Sequence, residues 1–202
     1  MRRVFVAGLL GGLAAFAWGA LSWGVLPLQT ARFVTIPDEA AVIDVLKGRL
    51  GDEGVYHYPG FPRATATAAQ EAEWRRRLET GPLVPMLVYL PSGARPFGVA
   101  LIGELLMVVG AATIAAWLLS LAAPSLRGFP SRAGFVAAIG VVSAIVTHGA
   151  DWNWSIIPSR YALIASIDLM LEWVLVGLVL AWRLAPADAR HTIEMRTRAT
   201  VA

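Results

Sequence analysis

The sequence predicts an all-α membrane protein: a four-helix transmembrane bundle with a small α+β extracytoplasmic lobe between helices 1 and 2. Three observations predict it. Four apolar segments each approach the ~20 residues that a helix needs to cross a bilayer. The composition is 57% hydrophobic and only 15% charged, and the arginines near the segments gather on one side of them. A backbone in lipid must satisfy its own hydrogen bonds, so the four segments are predicted to be helices.

The predicted spans divide the 202-residue chain into four parts. The spans are Val4 to Leu26, Phe97 to Leu121, Ala133 to Ala150 and Tyr161 to Trp182. The parts are 1–27 (transmembrane helix 1), 28–96 (the lobe), 97–185 (transmembrane helices 2 to 4) and 186–202 (a cytoplasmic tail). The first span exceeds a usual signal-peptide core and no small-residue cleavage site precedes Pro27, which favours an uncleaved anchor.

Charge sets the predicted orientation, because loops rich in Lys and Arg stay in the cytoplasm. Residues 28–96 carry eight basic and eight acidic residues, so they are neutral overall. The other side carries eight arginines against Asp188 and Glu194, an excess of six. Its arginines are Arg2, Arg3, Arg127, Arg132, Arg183, Arg190, Arg196 and Arg198. Both termini are therefore predicted to be cytoplasmic.

The lobe is predicted to contain two helices and two strands that pair. In order, they are a helix starting at Thr35 to Glu39 and stopping at Gly51, a strand at Gly54 to Tyr58, a helix capped by Thr67 and Gln70 and reaching Leu78, and a strand at Leu83 to Leu90. We expect the helices to cover one sheet face and the lobe to rest on the outer ends of the spans. Arg75 to Arg77 predict either a solvated helix face or contact with a partner protein or anionic headgroups.

Small residues mark a packing face on the first span. Gly8 and Gly12, and Ala15 and Gly19, have the small-xxx-small spacing that lets helix backbones approach closely in lipid. The neighbour is either a helix of this chain or another subunit. The short connection from Ser125 to Arg132 predicts that the second and third spans form an antiparallel pair.

Five tryptophans lie close to the predicted membrane interfaces. An amphipathic indole ring favours that boundary, so all five are predicted to be interface anchors. They are Trp18, Trp23, Trp152, Trp154 and Trp182.

Ionisable residues inside the spans are the candidate functional site, because they are costly in a bilayer and usually have a partner or a function. We predict that they converge on one polar cluster, made of Glu104, His148, Asp168, Glu172 and Arg160. Three interpretations stay open. The cluster is a metal site, a proton or ion pathway, or interhelical bonding in which the carboxyl groups meet Arg160, Ser166, Ser143, Thr147 or another subunit.

Several other chemistries lack the residues that they need. The chain has no cysteine, which excludes disulfides, thiolate catalysis, iron–sulfur clusters and covalent haem. His191 is predicted on the opposite side from His57 and His148, so no pair of histidines spans the membrane to hold haem. No hydrolase, nucleotide, peptidase or nucleic-acid motif is present. No cofactor, metal or nucleic-acid partner is predicted; lipid or pigment contacts stay open for the aromatic residues.

Four stretches resemble a family of uncharacterised bacterial four-helix inner-membrane proteins with a small periplasmic lobe. They are Trp18 to Trp23, Pro37 to Val42, Gly54 to Gly60, and Trp152 to Trp154 before Pro158. The resemblance implies the bacterial inner membrane and no established catalysis. By topology, the segment from Trp152 to Trp154 is expected to close over His148 and Asp168.

The function predicted from these observations is that of a non-catalytic accessory subunit. It would pack against other integral-membrane subunits of a larger complex, photosynthetic or respiratory, and against lipids. The alternative is a small ion- or proton-coupled transporter that uses Glu104, Asp168 and Glu172.

Overall fold

The computed structural model describes residues 1–184 and is mostly helical, with one small sheet. Its elements are α1 (Arg2–Gly24), α2 (Leu28–Arg32), α3 (Glu39–Arg49), β1 (Gly54–Tyr58), α4 (Ala68–Thr80), β2 (Val84–Tyr89), α5 (Phe97–Ala122), α6 (Gly128–Ala144), a π-helical turn (Ile145–Gly149), α7 (Ala150–Trp154) and α8 (Ser159–Arg183). The predicted tail, 186–202, lies outside the described residues.

Four helices are long and apolar enough to cross a membrane. They are α1, α5, the continuous helix Gly128–Trp154 formed by α6, the π-helical turn and α7, and α8. We call these four helices the spans, and we call the end at which α1 finishes and α5 begins the lobe end. The predicted segments match the spans to within a few residues, except that the third helix begins five residues earlier and ends four later than expected.

The spans lie in the spatial order α5, α1, α8, α6. Helix α1 packs against both α5 and α8, and α6 packs along α8, whereas α5 and α6 make little contact. The predicted pairing of the second and third spans is therefore wrong. A short connection brings two helix ends together, but it does not choose the neighbour along their length when every helix is apolar.

Glycines set the close approach of α1 to α5. A Cβ added at Gly8 would lie 2.5 Å from the Cα of Thr113, and one at Gly12 would lie 2.5 Å from the Cα of Val109. No side chain fits in those spaces, so these two glycines pack against a helix of the same chain. Ala15 is buried beside them, but nothing lies within 4 Å of a Cβ built at Gly19, which is not part of this contact.

Two further glycines join α6 to α8. Gly140 lies against the Trp173 side chain, and a Cβ at Gly177 would lie 2.7 Å from the carbonyl oxygen of Ala133. The spans are most tightly packed in the half away from the lobe end. The buried side chains there include Leu119, Val136, Val176 and Leu180.

Arg132 is a buried cation in the first turns of α6. Its Nε donates to the Gly128 carbonyl at 3.1 Å and its Nη1 to the Leu184 carbonyl at 3.4 Å. Because carbonyl groups at a helix C-terminus carry partial negative charge, the guanidinium stabilises the end of α8. This contact fixes α6 against α8 at the end away from the lobe.

The lobe has the predicted elements but not the predicted packing. The capping box of Thr67 and Gln70 is present at α4, and β1 pairs with β2 in antiparallel fashion. Helix α3 has no buried residue, so it does not cover the sheet. Among the described residues, the backbones of α3, β1, α4 and β2 do not approach the spans closely. Of the lobe elements, only α2 packs against α8. The expectation that the lobe rests on the spans therefore holds for its first element, α2, and not for α3, β1, α4 and β2.

Candidate functional site

The carboxylate of Asp168 is the centre of the most extensive polar contact between the spans. Its Oδ1 accepts hydrogen bonds from the Trp18 indole Nε1 and the Ser22 hydroxyl, both at 2.8 Å. Its Oδ2 accepts from the Arg32 guanidinium at 2.6 Å. Three donors therefore surround one carboxylate that is 13% exposed. We call Asp168, Trp18, Ser22 and Arg32 the Asp168 junction.

Helix geometry places two of these donors. Trp18 and Ser22 are four residues apart in α1, so their side chains share one helix face. That face meets α8, where Ser22 is fully buried. A buried indole N–H and a buried hydroxyl both need acceptors, and Asp168 supplies one for each. Trp18, predicted to be an interface anchor, donates a hydrogen bond within the protein.

A turn after α1 places Arg32, the third donor. Proline disfavours helical backbone in the residue before it, so α1 ends ahead of Pro27 and the short α2 follows. Helix α2 packs against α8, which leaves the Arg32 side chain 8% exposed. Its guanidinium carbon lies 6.0 Å from the centre of the Tyr161 ring. The centres of the Phe33 and Tyr161 rings lie 5.6 Å apart in a T-shaped arrangement.

The Arg32–Asp168 contact is a nearly buried ion pair with charge-assisted hydrogen bonding. Removing one partner of such a pair costs about 3–5 kcal/mol, because the other charge is then left without compensation. Arg32 Nε is also buried and has no hydrogen-bond partner among the described residues. Helix α2, which packs on α8, positions Arg32 for the pair.

Asp168 does not bond to the partners that the sequence suggested. Arg160 is exposed in the first turn of α8, and Thr147 donates to the Ser143 carbonyl of its own helix at 2.7 Å. Sequence analysis missed Arg32 because it counted this residue with a charge-balanced lobe. Its position a few residues beyond the first span, at the end where the fourth span begins, was the available signal.

A π-helical turn positions His148 at the lobe end. Residues Ile145–Gly149 form this turn between α6 and α7. Such widened turns inside α-helices often occur at functional sites. His148 is half-buried and lies within electrostatic range of Asp151, Arg32 and Asp168. It therefore belongs to the surroundings of the Asp168 junction without bonding to the carboxylate.

Glu172 and Glu104 form no hydrogen bond or ion pair with the Asp168 junction. Glu172 is half-buried one turn further along α8 and lines a cavity of about 180 Å³ between α1, α5 and α8. Glu104 is exposed on α5, and its charge acts on Glu172. The structure thus brings His148 near Asp168 and Glu104 near Glu172, with Arg160 in neither group. Within residues 1–184, no three His, Asp or Glu side chains come close enough together to hold a metal ion.

The other predicted aromatic anchors are exposed. Trp23 and Trp182 lie at or next to helix ends, whereas Trp152 and Trp154 lie in α7, which continues the third span as a helix. The Trp152 indole donates to the Ser159 hydroxyl at 2.9 Å. The expectation that this segment closes over Asp168 is wrong, because both of its tryptophans are exposed and Arg32 covers the carboxylate instead.

The lobe contains a separate open cavity of about 680 Å³ between the turn after β1 and α4. Phe61 stands between His57 and Trp74, with ring centres 4.4 and 6.3 Å away. On the same helix, Glu73 accepts hydrogen bonds from Arg76 and Arg77. These bonds, chiefly that from Arg76, lower the pKa of Glu73 from 4.5 to about 2.

The run of three arginines is therefore paired along its own helix. Arg76 Nη2 lies 2.7 Å from Glu73 Oε1, and Arg75 lies 3.7 Å from Glu71. All three arginines are exposed. This geometry favours the solvated helix face of the two interpretations.

Known proteins offer no template for these sites. Comparisons with family models, with curated proteins and with solved structures found no match. The resemblance to a bacterial inner-membrane family stays a prediction, and the function must be argued from the geometry of the chain.

Proposed function

We propose that the protein is a non-catalytic accessory subunit of a larger membrane complex. The observation that carries this proposal is an exposed apolar face on the two-stranded sheet of the lobe. Val55 lies opposite Val88 in the antiparallel register, and alternate residues of a strand share a face. We define the sheet face as Val55, Met86 and Val88; these side chains are 64%, 48% and 58% exposed, whereas Val84 lies beyond a register shift, opposite Tyr58.

A contiguous apolar patch outside the membrane is the usual mark of a protein contact, because exposing it to water is unfavourable. Within residues 1–184, neither α3 nor any span packs on the sheet. The charge distribution of the sequence supports a periplasmic lobe on a bacterial inner membrane, with both termini in the cytoplasm, as part of this proposal. A periplasmic partner domain that covers the sheet face would complete its burial.

The Asp168 junction supports a structural role over the transport alternative. A carboxylate that carries protons or ions must exchange its partners during each cycle. Asp168 instead accepts from three donors, one of them the cation of Arg32. The junction therefore favours an interhelical fastening that joins α1, α2 and α8.

The test is purification of the tagged, full-length chain from its native membrane in a mild detergent, followed by native mass spectrometry. The expected result is a larger complex of fixed stoichiometry. Val55→Thr with Val88→Thr should release the chain, because threonine keeps the shape and strand preference of valine but adds a hydroxyl. Val45→Thr, at a valine of α3 that is 63% exposed, is the matched control.

A chain that purifies alone or only with copies of itself would overturn the proposal. An intact assembly whose ion flux is lost in Asp168→Asn would instead establish the transporter. A complex that survives the two sheet-face substitutions would show that the sheet face does not make the contact.

A further inference from the structure

The cavity beside Glu172 is a lateral groove between three spans. Ala15 of α1 forms its floor, with Val108 and Ala111 of α5 on one wall and Glu172 and Trp173 of α8 on the other. Met107, which also lines it, is 64% exposed, so the groove opens to the side of the protein. It exists because α5 and α8 both pack on α1 but scarcely touch each other.

Glu172 is the polar group of this groove. It is thirteen residues after Ser159 and eleven before Arg183, close to the middle of α8 and about 20 Å from the helix start at 1.5 Å per residue. Within residues 1–184, it forms no ion pair with a basic side chain. An ionisable group at that depth normally has a partner.

The charges around Glu172 specify a cationic partner. The groups that act on it are Glu104 and Asp168, both acidic, and Asp168 already has its own cation in Arg32. The volume of about 180 Å³ corresponds to about six water molecules at about 30 Å³ each. That is enough for one long side chain, but less than the 300 Å³ or more of a typical small-molecule site.

We propose that the groove receives one lysine or arginine side chain from a transmembrane helix of a different protein, whose charge pairs with Glu172. Alanine and valine walls suit the apolar stem of such a side chain. The small residues Ala15 and Ala111 also let the partner helix come close. A second copy of this chain is a poor source of the cation, because the arginines of its spans (Arg2, Arg3, Arg132, Arg160 and Arg183) all lie near helix ends, whereas Glu172 lies near the middle of α8.

This inference rests on the accessory-subunit proposal and names the chemistry of its membrane contact. The test uses the full-length chain in vesicles of phosphatidylethanolamine and phosphatidylglycerol. The chain has no native cysteine, so Ser125→Cys in the exposed connection between α5 and α6 takes a single donor dye. The probes are two synthetic transmembrane helices of leucine and alanine, one with a central lysine and one with a central leucine. Each probe carries an acceptor dye.

Energy transfer should report about tenfold tighter association of the lysine peptide than of the leucine peptide, as expected for an interhelical polar contact. Glu172→Gln should remove most of that difference, because glutamine keeps the shape of the side chain and loses its charge. Glu104→Gln should have a smaller effect, since Glu104 is exposed and lies nearer the lobe end. Glu79→Gln, the same change in α4, is the control.

Equal association of the two peptides, or a lysine preference that survives Glu172→Gln, would overturn the inference. Self-association of the chain that disappears in Glu172→Gln would also overturn it, because the groove would then serve a second copy. Circular dichroism of each variant checks that the helices are retained. If the peptides fail while the native complex persists, only this inference is wrong; a lysine preference in a chain that purifies alone overturns the accessory-subunit proposal instead.

Discussion

Arg32 and Asp168 lie 136 residues apart in the sequence, yet their side chains meet at 2.6 Å in a nearly buried ion pair. The arginine belongs to a one-turn helix after the first span, and the aspartate lies in the third turn of the last span. The pair therefore joins the segment after the first span to α8 at the lobe end of the spans. Several expectations about stability follow from it.

Arg32→Ala should destabilise the protein by about 3–5 kcal/mol, because the buried charge of Asp168 loses its cation. The measurement is unfolding by sodium dodecyl sulfate in mixed micelles, followed by circular dichroism. Arg160→Ala is the control: Arg160 is exposed in the first turn of α8, so its loss should change the stability little.

A double-mutant cycle separates the pair from its surroundings. Arg32→Ala combined with Asp168→Asn should lower the free energy of unfolding by less than the sum of the single changes. The double variant removes both charges, so no buried charge is left without a partner. Additive losses would show that the two residues contribute independently.

Trp18→Phe should cost about 1.5–3 kcal/mol, because a hydrogen bond to a charged acceptor is lost while most of the ring volume is kept. Trp23→Phe changes an exposed tryptophan of the same helix and should have little effect. Thermal unfolding in the same detergent compares the two. Equal melting temperatures would contradict the hydrogen bond to Asp168.

Gly12→Ala should force α1 away from α5, since its Cβ would lie 2.5 Å from the Cα of Val109. Overpacking of this kind costs about 1–3 kcal/mol. Gly19→Ala is the matched control, because nothing lies within 4 Å of its Cβ. A control as damaging as Gly12→Ala would imply a general intolerance of alanine in α1.

Glu73 should titrate at a pH of about 2, because Arg76 and Arg77 bond to its charged form and lower its pKa from 4.5. A lowered pKa in the folded state means that the stabilisation is fully present above about pH 4.5 and is lost as the pH falls through about 2. Carbon-13 NMR of glutamate-labelled protein in micelles measures the titration, with Glu73→Gln to assign the resonance. In the double variant Arg76→Gln and Arg77→Gln, the midpoint should rise toward 4.5.

Local signals in the sequence predicted local structure well. The strand at Gly54 to Tyr58 has the predicted bounds, and the capping box of Thr67 and Gln70 starts a helix as expected. The four spans followed from hydropathy alone. In each case the physical cause acts over a few residues, or over one helix length, and is therefore visible in the chain.

Contacts between elements were harder to predict. Lipid gives apolar helices no hydrophobic reason to choose one neighbour over another, so the order α5, α1, α8, α6 depends on shape at residues such as Gly12 and Gly140. The role of Arg32 was missed because this residue belongs to a lobe with no net charge. The π-helical turn around His148 was missed because such a turn has no characteristic hydrophobic period.

The order α5, α1, α8, α6 also has a consequence for biosynthesis. The ribosome makes α1 and α5 before α6 and α8, and these two can pair at once in the bilayer. Helix α6 is made next, but its neighbour along the row, α8, does not yet exist. Helix α8, which is made after α6, therefore joins the pair of α1 and α5 to α6. Translation that stops before Ser159 would leave α6 without its lateral contact, a form that membrane proteases can recognise.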